Sequence, residues 1–422
     1  MTSQEFVKKY SAFNSQGIVS RIVARTGNSQ EETLEEIAKF NPDVVGIPLI
    51  ATANYLPATN LARGIKNKFP RVKVAFGGQH ISALPEEFLQ ENPFVDYAVT
   101  GDAVQAIEDI VEGRAKDKLV RGGFSEMSRF PLLDPELLEE NNYPARPTYS
   151  YSTFGRKSAD FMFSKGCFRH CDFCVAGCQK THVTATPYDK VEEQLRTFKE
   201  KGIGELIIQD DAFLWDKSHV RQHLPRVLEL MKKHGFYWQN NGGIEFEGLD
   251  EFVTNQLIQY QKGEGKVTSL YIPFNPRSWN KTQSASRTMS QRYHDNTDNL
   301  RRLRDAGVYV FTSAIIGTPE QTRETFEEEL ATDKGLVEKG YLDSALCLSA
   351  TMLPGTSWYK DNGQNIINLR DYPGYSLFTV HHRTANLQPQ EIEELVIRWT
   401  KELSPVQKMY PWGTAFPNST EQ

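Results

Sequence analysis

The sequence predicts an α/β protein in two parallel-stranded parts: a small doubly wound domain, then a partial (β/α)6 barrel. Three observations predict it. Short apolar runs alternate with amphipathic helical stretches from residue 30 to Gly101, and several of those runs end in glycine. A stretch from 112 to about 158, holding Gly122-Gly123, Pro131, Asp134-Pro135, Pro144 and Pro147, then breaks the rhythm. Alternation resumes at 161 and continues to 349. Strands separated by helices pair in parallel through right-handed crossovers. The expected division is 1–120 for the first domain, 121–157 for a linker, 158–360 for the barrel and 361–422 for a helical extension.

In the first part, residues 30–40 carry apolar residues at helical spacing, and 42–47 form a short buried strand. Residues 56–68 form a helix, 72–76 a strand running into Gly77-Gly78, 85–90 a helix, and 95–99 a strand stopping at Gly101. The functional edge of such a sheet lies at the strand C-termini, where Gly77, Gly78 and Gly101 stand. In the second part, Phe161 to Ser164 is a strand that enters a cysteine-rich loop. Helices follow at 188–201, 219–234, 293–306 and 320–338, and strands at 205–209, 236–239, 269–274, 308–316 and 343–349. About six β-α units are fewer than a closed barrel requires, so the barrel is open on one side. A late helix spans 388–403.

Composition narrows the class. Of 422 residues, 39% are hydrophobic and 24% charged, as in ordinary globular proteins with a sizeable core. The formal charge of -6, without a long Lys/Arg run, gives no reason to expect nucleic acid as a partner. The first residues lack the basic start and apolar core of a signal peptide, and no apolar stretch nears the roughly 20 residues that span a bilayer. A cytoplasmic enzyme without a membrane span is expected.

Of five cysteines, Cys167, Cys171, Cys174 and Cys178 crowd one short loop, while Cys347 stands alone. A disulfide framework spreads its cysteines, so the crowded thiols read as metal ligands. The segment is Ser164-Lys165-Gly166-Cys167-Phe168-Arg169-His170-Cys171-Asp172-Phe173-Cys174. Thiolates are the ligands of iron–sulfur clusters, and three of them leave one iron of a cubane open to a substrate. Structural zinc, the rival, usually takes two separated CxxC pairs or adds histidine pairs, and no second pair is present. Cys178 is either a fourth ligand, which closes the cluster, or a loop or substrate-pocket residue. Cys347, in an apolar strand, reads as a small buried hydrophobe.

The CxxxCxxC pattern, with an aromatic before its last cysteine and a strand before the loop, resembles the radical S-adenosylmethionine superfamily. The resemblance implies a [4Fe-4S] cluster on Cys167, Cys171 and Cys174, with S-adenosylmethionine chelating the open iron. It implies reductive cleavage to a 5'-deoxyadenosyl radical, which functionalises an unactivated C–H bond of a small-molecule or natural-product substrate. An electron donor of flavodoxin or ferredoxin type is implied as partner. Phe173 matches the aromatic that approaches the adenine. Gln209, Asp210 and Asp211 match the place that positions the methionine amino group, with strand-end turn residues as the alternative. Asn275, Arg277 and Ser278 stand in the ribose and carboxylate region. Ile316 and Gly317 resemble the segment that supports the adenine, and Leu353-Pro354-Gly355-Thr356 matches a late family turn.

Pro42 to Ile47, Gly77-Gly78-Gln79-His80, Pro85-Glu86-Glu87 and Val95 to Gly101 resemble the Rossmann-like cobalamin-binding domain that precedes the barrel in one branch of that superfamily. Gly77, Gly78 and Gly101 are the matching cobalamin positions. The usual first strand is missing or shortened within residues 1–29, no DxHxxG motif is present, and Gly101-Asp102-Ala103-Val104 stands where the branch has a Gly-Glu-Gly-Glu run. The domain is therefore either a cobalamin site or a degenerate relic kept for packing. With cobalamin, methyl transfer is implied; without it, a rearrangement or cyclisation. A non-catalytic carrier with Cys178 as fourth cluster ligand is the reading from another class. Trp215, Tyr237, Trp238, Trp279, Trp358 and Trp412 are cavity-lining or core aromatics.

Overall fold

A computed structural model describes residues 28–134, 156–176, 182–214, 217–240, 242–244, 246–273 and 289–407. It contains two parallel sheets, as expected. The first is built from β1 (Val44–Pro48), β2 (Lys73–Gly77), β3 (Tyr97–Thr100) and β4 (Leu119–Arg121), in that spatial order. Helix α1 (Gln30–Phe40) starts where Ser29 caps it: the Ser29 hydroxyl accepts from the Glu32 N–H, and the Glu32 carboxylate accepts from the Ser29 N–H. Helices α2 (Tyr55–Lys68), α3 (Gln79–Ala83), α4 (Pro85–Glu91) and α5 (Ala103–Val111) complete the unit.

Strand alternation gives this sheet two apolar faces. Val74, Phe76 and Ala98 pack with Ala62 and Ile65 of α2 and Phe88 of α4. Ala75 and Val99 face the other way, against Ala106 and Ile110 of α5. Helix α3, helix α5 and β4 were not anticipated. Helix α5 is short, and β4 is an edge strand of three residues whose burial is only partial.

The second sheet has six strands in the order β12-β11-β10-β9-β8-β5, and every adjacent pair is parallel. These are β5 (Lys157–Phe161), β8 (Ile203–Ile208), β9 (Tyr237–Asn240), β10 (Val267–Tyr271), β11 (Tyr309–Ile316) and β12 (Ser344–Ser349). Strands β5 and β12 form two unjoined ends, so the barrel is partial. Between them lie α6 (Tyr188–Glu200), α7 (Lys217–Lys233), α8 (Glu251–Tyr260), α9 (Met289–Asp305) and α10 (Arg323–Glu338). Their apolar faces and the outward strand residues form one core around Leu195, Phe198, Leu206, Trp238, Leu257 and Phe326. Trp238 belongs to that core, not to a cavity wall.

Strand β5 begins four residues before the expected strand. The polar Ser158 and Asp160 within it broke up the apolar run, because they alternate with Ala159 and Phe161, which pack against the main core. Helix α12 (Pro389–Leu403) closes on β12 and β11. Its Ile392, Leu395, Trp399 and Leu403 enter the same core as the barrel strands. Gln388 and Glu391 cap it reciprocally, and Pro389 occupies its first turn.

The punctuated connector is bound along its described length. The Gly122 N–H donates to the Thr100 carbonyl, and the Ser125 N–H to the Asp102 carboxylate. Farther on, the Leu133 N–H and carbonyl both bond to the Gln194 side chain of α6. Residues 122–133 thus strap the edge of the first sheet to the barrel.

Candidate functional site

The site begins where β5 ends. After Phe161 the chain forms a hairpin of β6 (Ser164–Lys165) with β7 (Thr184–Ala185), and the cysteine segment leaves and returns through that neck. Gly166 sits at the neck with φ of 95°, and a Cβ there would lie 1.8 Å from the His182 carbonyl oxygen. Only glycine lets the two limbs approach so closely.

Two carboxylates at the end of β8 fix the outgoing limb. Asp210 accepts from the N–H of Phe163 at 2.8 Å, the N–H of Ser164 at 2.8 Å and the Ser164 hydroxyl at 2.7 Å. Asp211 accepts from the Gly166 N–H at 2.8 Å. Burial pushes the Asp210 carboxyl up to about 7, against the three hydrogen bonds that favour its anion. Gln209, the third residue predicted here, turns instead to Asp160 at 2.6 Å and stays exposed. Alternation along β8 puts it on the opposite side from Asp210.

Cys167 is buried, and Cys171 and Cys174 are half-buried. The Arg169 N–H lies 3.4 Å from the Cys167 sulfur, and the Cys174 N–H donates to the Cys171 carbonyl in a tight turn. Hydrogen bonds of this kind to thiolate sulfur tune an iron–sulfur site. Among the described residues no three His, Cys, Asp or Glu side chains converge around one metal ion. A cubane does not require that, because its thiolates bind separate irons. Three thiols on one braced loop fit such a cluster.

The far side of the loop docks on the turn after β12. The Trp358 N–H donates to the Asp172 carbonyl at 3.0 Å, and the Phe173 and Trp358 rings meet at 5.6 Å. Phe173 thereby joins a small apolar cluster with Ala350 and Met352. Thr356 of the predicted late turn caps α11 (Ser357–Asn362), which carries Trp358. Ile316 is buried at the end of β11. Gly317 follows with φ of 87°; its N–H donates to Gln321, and its carbonyl accepts from His382 Nε2 at 2.8 Å. A Cβ at Gly317 would lie 2.7 Å from Ile392. Cys347 packs beside the main core, and burial raises its thiol well above the usual range. Asn275, Arg277, Ser278, Cys178, Trp215, Trp279 and Trp412 lie outside the described residues.

The C-terminal edge of the first sheet brings Gly77, Gly78 and Gly101 together. Gly78 has φ of 108°, and a Cβ there would meet the Leu49 carbonyl at 2.7 Å. Gly101 has φ of 69° and would meet the Gly122 carbonyl at 2.8 Å. Both are thus required by the chain's own backbone, whatever else the edge holds. Nothing so close faces Gly77. His80, nearly fully buried, meets the Thr52 hydroxyl through Nδ1 at 3.0 Å, and burial pushes it down to about 4. Ile50 and Leu56 expose apolar surface beside this edge.

Residues 12–111 match the family model of the B12 binding domain. The match starts within the first 29 residues, where the usual first strand looked missing or shortened. Two structures of the radical S-adenosylmethionine methyltransferase TsrM from Kitasatospora setae share the fold. One, with cobalamin and a [4Fe-4S] cluster bound, has a TM-score of 0.61 at 13% identity, over 90% of this chain and 82% of that one. The other, with tryptophan and a S-adenosylmethionine analogue, has a TM-score of 0.62 at 15% identity, over 96% and 86%. The chain shares the fold of these enzymes, and its residues 12–111 are similar to the B12 binding domain. An uncharacterized methyltransferase of Pyrococcus horikoshii is 24% identical, over 88% of this chain and 81% of that protein. Cytidylyl-2-hydroxyethylphosphonate methyltransferase of Streptomyces wedmorensis is 22% identical over 80% and 70%.

Within this fold the cysteine motif was readable from spacing. Ser164, Lys165, Asp102, Trp358 and His382 were not. Each acts through a partner 46 or more residues away in the chain, and neither periodicity nor a local motif marks such contacts. Among the described residues no helix is long and apolar enough to cross a membrane.

Proposed function

We propose that this protein is a radical S-adenosylmethionine enzyme that transfers a methyl group to a small-molecule or natural-product substrate, using cobalamin as the carrier. One observation carries the reading. A three-cysteine loop, braced at the C-terminal end of the first barrel strand, is tied directly to the C-terminal edge of a B12-binding-type sheet through Lys165 and Asp102. Two cofactor-type edges joined in this way suit chemistry that uses both.

Cys167, Cys171 and Cys174 would hold the [4Fe-4S] cluster, and the Gly77, Gly78 and Gly101 edge the cobalamin. When bound, these groups supply electron transfer, S-adenosylmethionine activation and methyl carriage. The chain's own residues do the positioning. Asp210 and Asp211 hold the outgoing limb of the loop at Phe163, Ser164 and Gly166, which fixes where Cys167 starts. Trp358 holds the middle at Asp172, between the second and third cysteines' backbone turn. Gln321 and His382 occupy both polar groups of Gly317, so its backbone stays fixed, and Ile392 of α12 packs where a side chain would stand. Phe173, Gln209, Asp210, Asp211, Asn275, Arg277, Ile316 and Gly317 remain the positions proposed for S-adenosylmethionine. For Asp210 the bracing role is the better supported.

The domain limits at about 120 and 157, a flavodoxin- or ferredoxin-type donor and a cytoplasmic setting belong to the same proposal. Anaerobically reconstituted, reduced protein, purified from cobalamin-supplied cells, should carry a corrinoid spectrum and convert S-adenosylmethionine to S-adenosylhomocysteine or 5'-deoxyadenosine. Bound cluster without any cleavage under a competent reductant would overturn the reading. Activity retained with no corrinoid bound would remove the methyl-transfer version alone.

A further inference from the structure

Lys165 stands two residues before the first cysteine, yet its side chain leaves the barrel. Its ammonium reaches the Asp102 carboxylate at 2.5 Å and lies over the rings of Phe130 at 4.5 Å and Phe124 at 5.2 Å. Its side chain is only 10% exposed and that of Asp102 26%. A lysine so far removed from water is held by its partner and by the ring faces.

Asp102 follows Gly101 at the end of β3, where the branch run Gly-Glu-Gly-Glu is replaced by Gly-Asp-Ala-Val. The same carboxylate oxygen also accepts the Ser125 N–H at 2.7 Å. The strap is then pinned to the returning limb of the cysteine loop. The Thr184 hydroxyl bonds to the Glu126 carboxylate at 2.5 Å and accepts the Met127 N–H at 3.3 Å. Lys190 of α6 donates to the Ser128 carbonyl at 2.7 Å. Lys165 and Thr184 are register partners in the neck hairpin. One limb of the cysteine loop is therefore fastened to the first domain and the other to the strap that leaves it, at neighbouring points.

We infer that the Asp102–Lys165 pair is a positioning device: it sets the attitude of the cysteine loop toward the first sheet, and it balances the charge beside the first cluster ligand. This rests on the reading of the cysteine loop as a cluster site. A reduced cluster carries one more negative charge than an oxidised one, so an unpaired cation nearby favours reduction, and an unpaired anion opposes it.

The test uses the full chain, reconstituted anaerobically with iron and sulfide. Iron and sulfide content and the cluster's midpoint potential are read by spectroscopically monitored titration. Asp102→Asn keeps an acceptor for Ser125 but leaves the ammonium unpaired, and it should raise the potential. Lys165→Met keeps apolar length between the two rings but leaves the carboxylate unpaired, and it should lower the potential or lose the cluster while circular dichroism stays native. Lys165→Arg, which preserves the pair, should stay near the native value. Potentials and cluster content that match the native protein in all variants, or shifts of one sign in the first two, would overturn the inference. A native chain that takes up no cluster would instead sink the reading of the site itself.

Discussion

Asp210 and Ser164 are joined twice, through the backbone N–H and the hydroxyl of Ser164, although 46 residues separate them. The first and second barrel strands are thereby locked at the point where the cysteine loop departs. Replacing Asp210 with alanine leaves three buried donors without an acceptor. A loss of about 3 kcal/mol in folding stability is expected from such orphaned groups. Urea denaturation at pH 8 would measure it, and iron uptake should fall in parallel. Unchanged stability would remove Asp210 from this bracing role.

His80 and Asp210 predict opposite pH dependences. His80, held down at about 4 by burial, stays neutral when folded and takes a proton when unfolded near its ordinary value of about 6.5. The unfolded chain binds more protons in that window, so its contribution is present above 6.5 and is lost as pH falls toward 4. Asp210, raised by burial to about 7, keeps its proton when folded and loses it near about 3.9 when unfolded. Its contribution is present below that lower value and is lost as pH rises toward 7. The native-minus-variant stability for His80→Gln should fall with falling pH, and that for Asp210→Asn with rising pH, each on the order of 3 kcal/mol. Matching slopes in the two difference curves would contradict both assignments.

Gly317 cannot accept a side chain without moving helix α12. Gly317→Ala places a methyl group against Ile392 in a left-handed backbone conformation. A cost of about 2–4 kcal/mol is expected from strain and overpacking together. Ile392→Ala beside it removes the γ carbons that the methyl group meets and should recover the overpacking part only, which a double-mutant cycle separates. Purely additive losses would show that the two residues do not touch.

Tyr372 fastens the segment after α11 to the first domain. Its ring stacks on Tyr55 at 3.9 Å with a 12° interplanar angle, and its hydroxyl donates to Glu91, which also accepts from Tyr55. Tyr372→Ala should cost about 1–3 kcal/mol through lost stacking and a lost charge-assisted bond. It should also speed proteolytic cleavage between residues 366 and 380. Tyr372→Phe, which keeps the stack, should lose only the smaller part.

The helices at 30–40, 188–200 and 389–403 and the strands at 203–208 and 309–316 were legible because their apolar residues repeat at one period and a cap or glycine marks their ends. Strand β5 and the 122–133 strap were not. Strand β5 carries polar residues toward the uncovered side of the sheet, and the strap's hydrogen bonds go to side chains far away in sequence.

By itself the sequence determined the spacing of the cysteines in their loop and the α/β order of both parts, because motif spacing and strand–helix periodicity are local properties of a chain. Only the tertiary structure decided what holds that loop. It gave Asp210 a bracing role at Phe163 and Ser164 and paired Gln209 with Asp160. It also required Gly78 and Gly101 for close backbone approach and joined Lys165 to Asp102. Each of these depends on which distant groups folding brings within about 3 Å, where burial makes a hydrogen bond or a charge decisive.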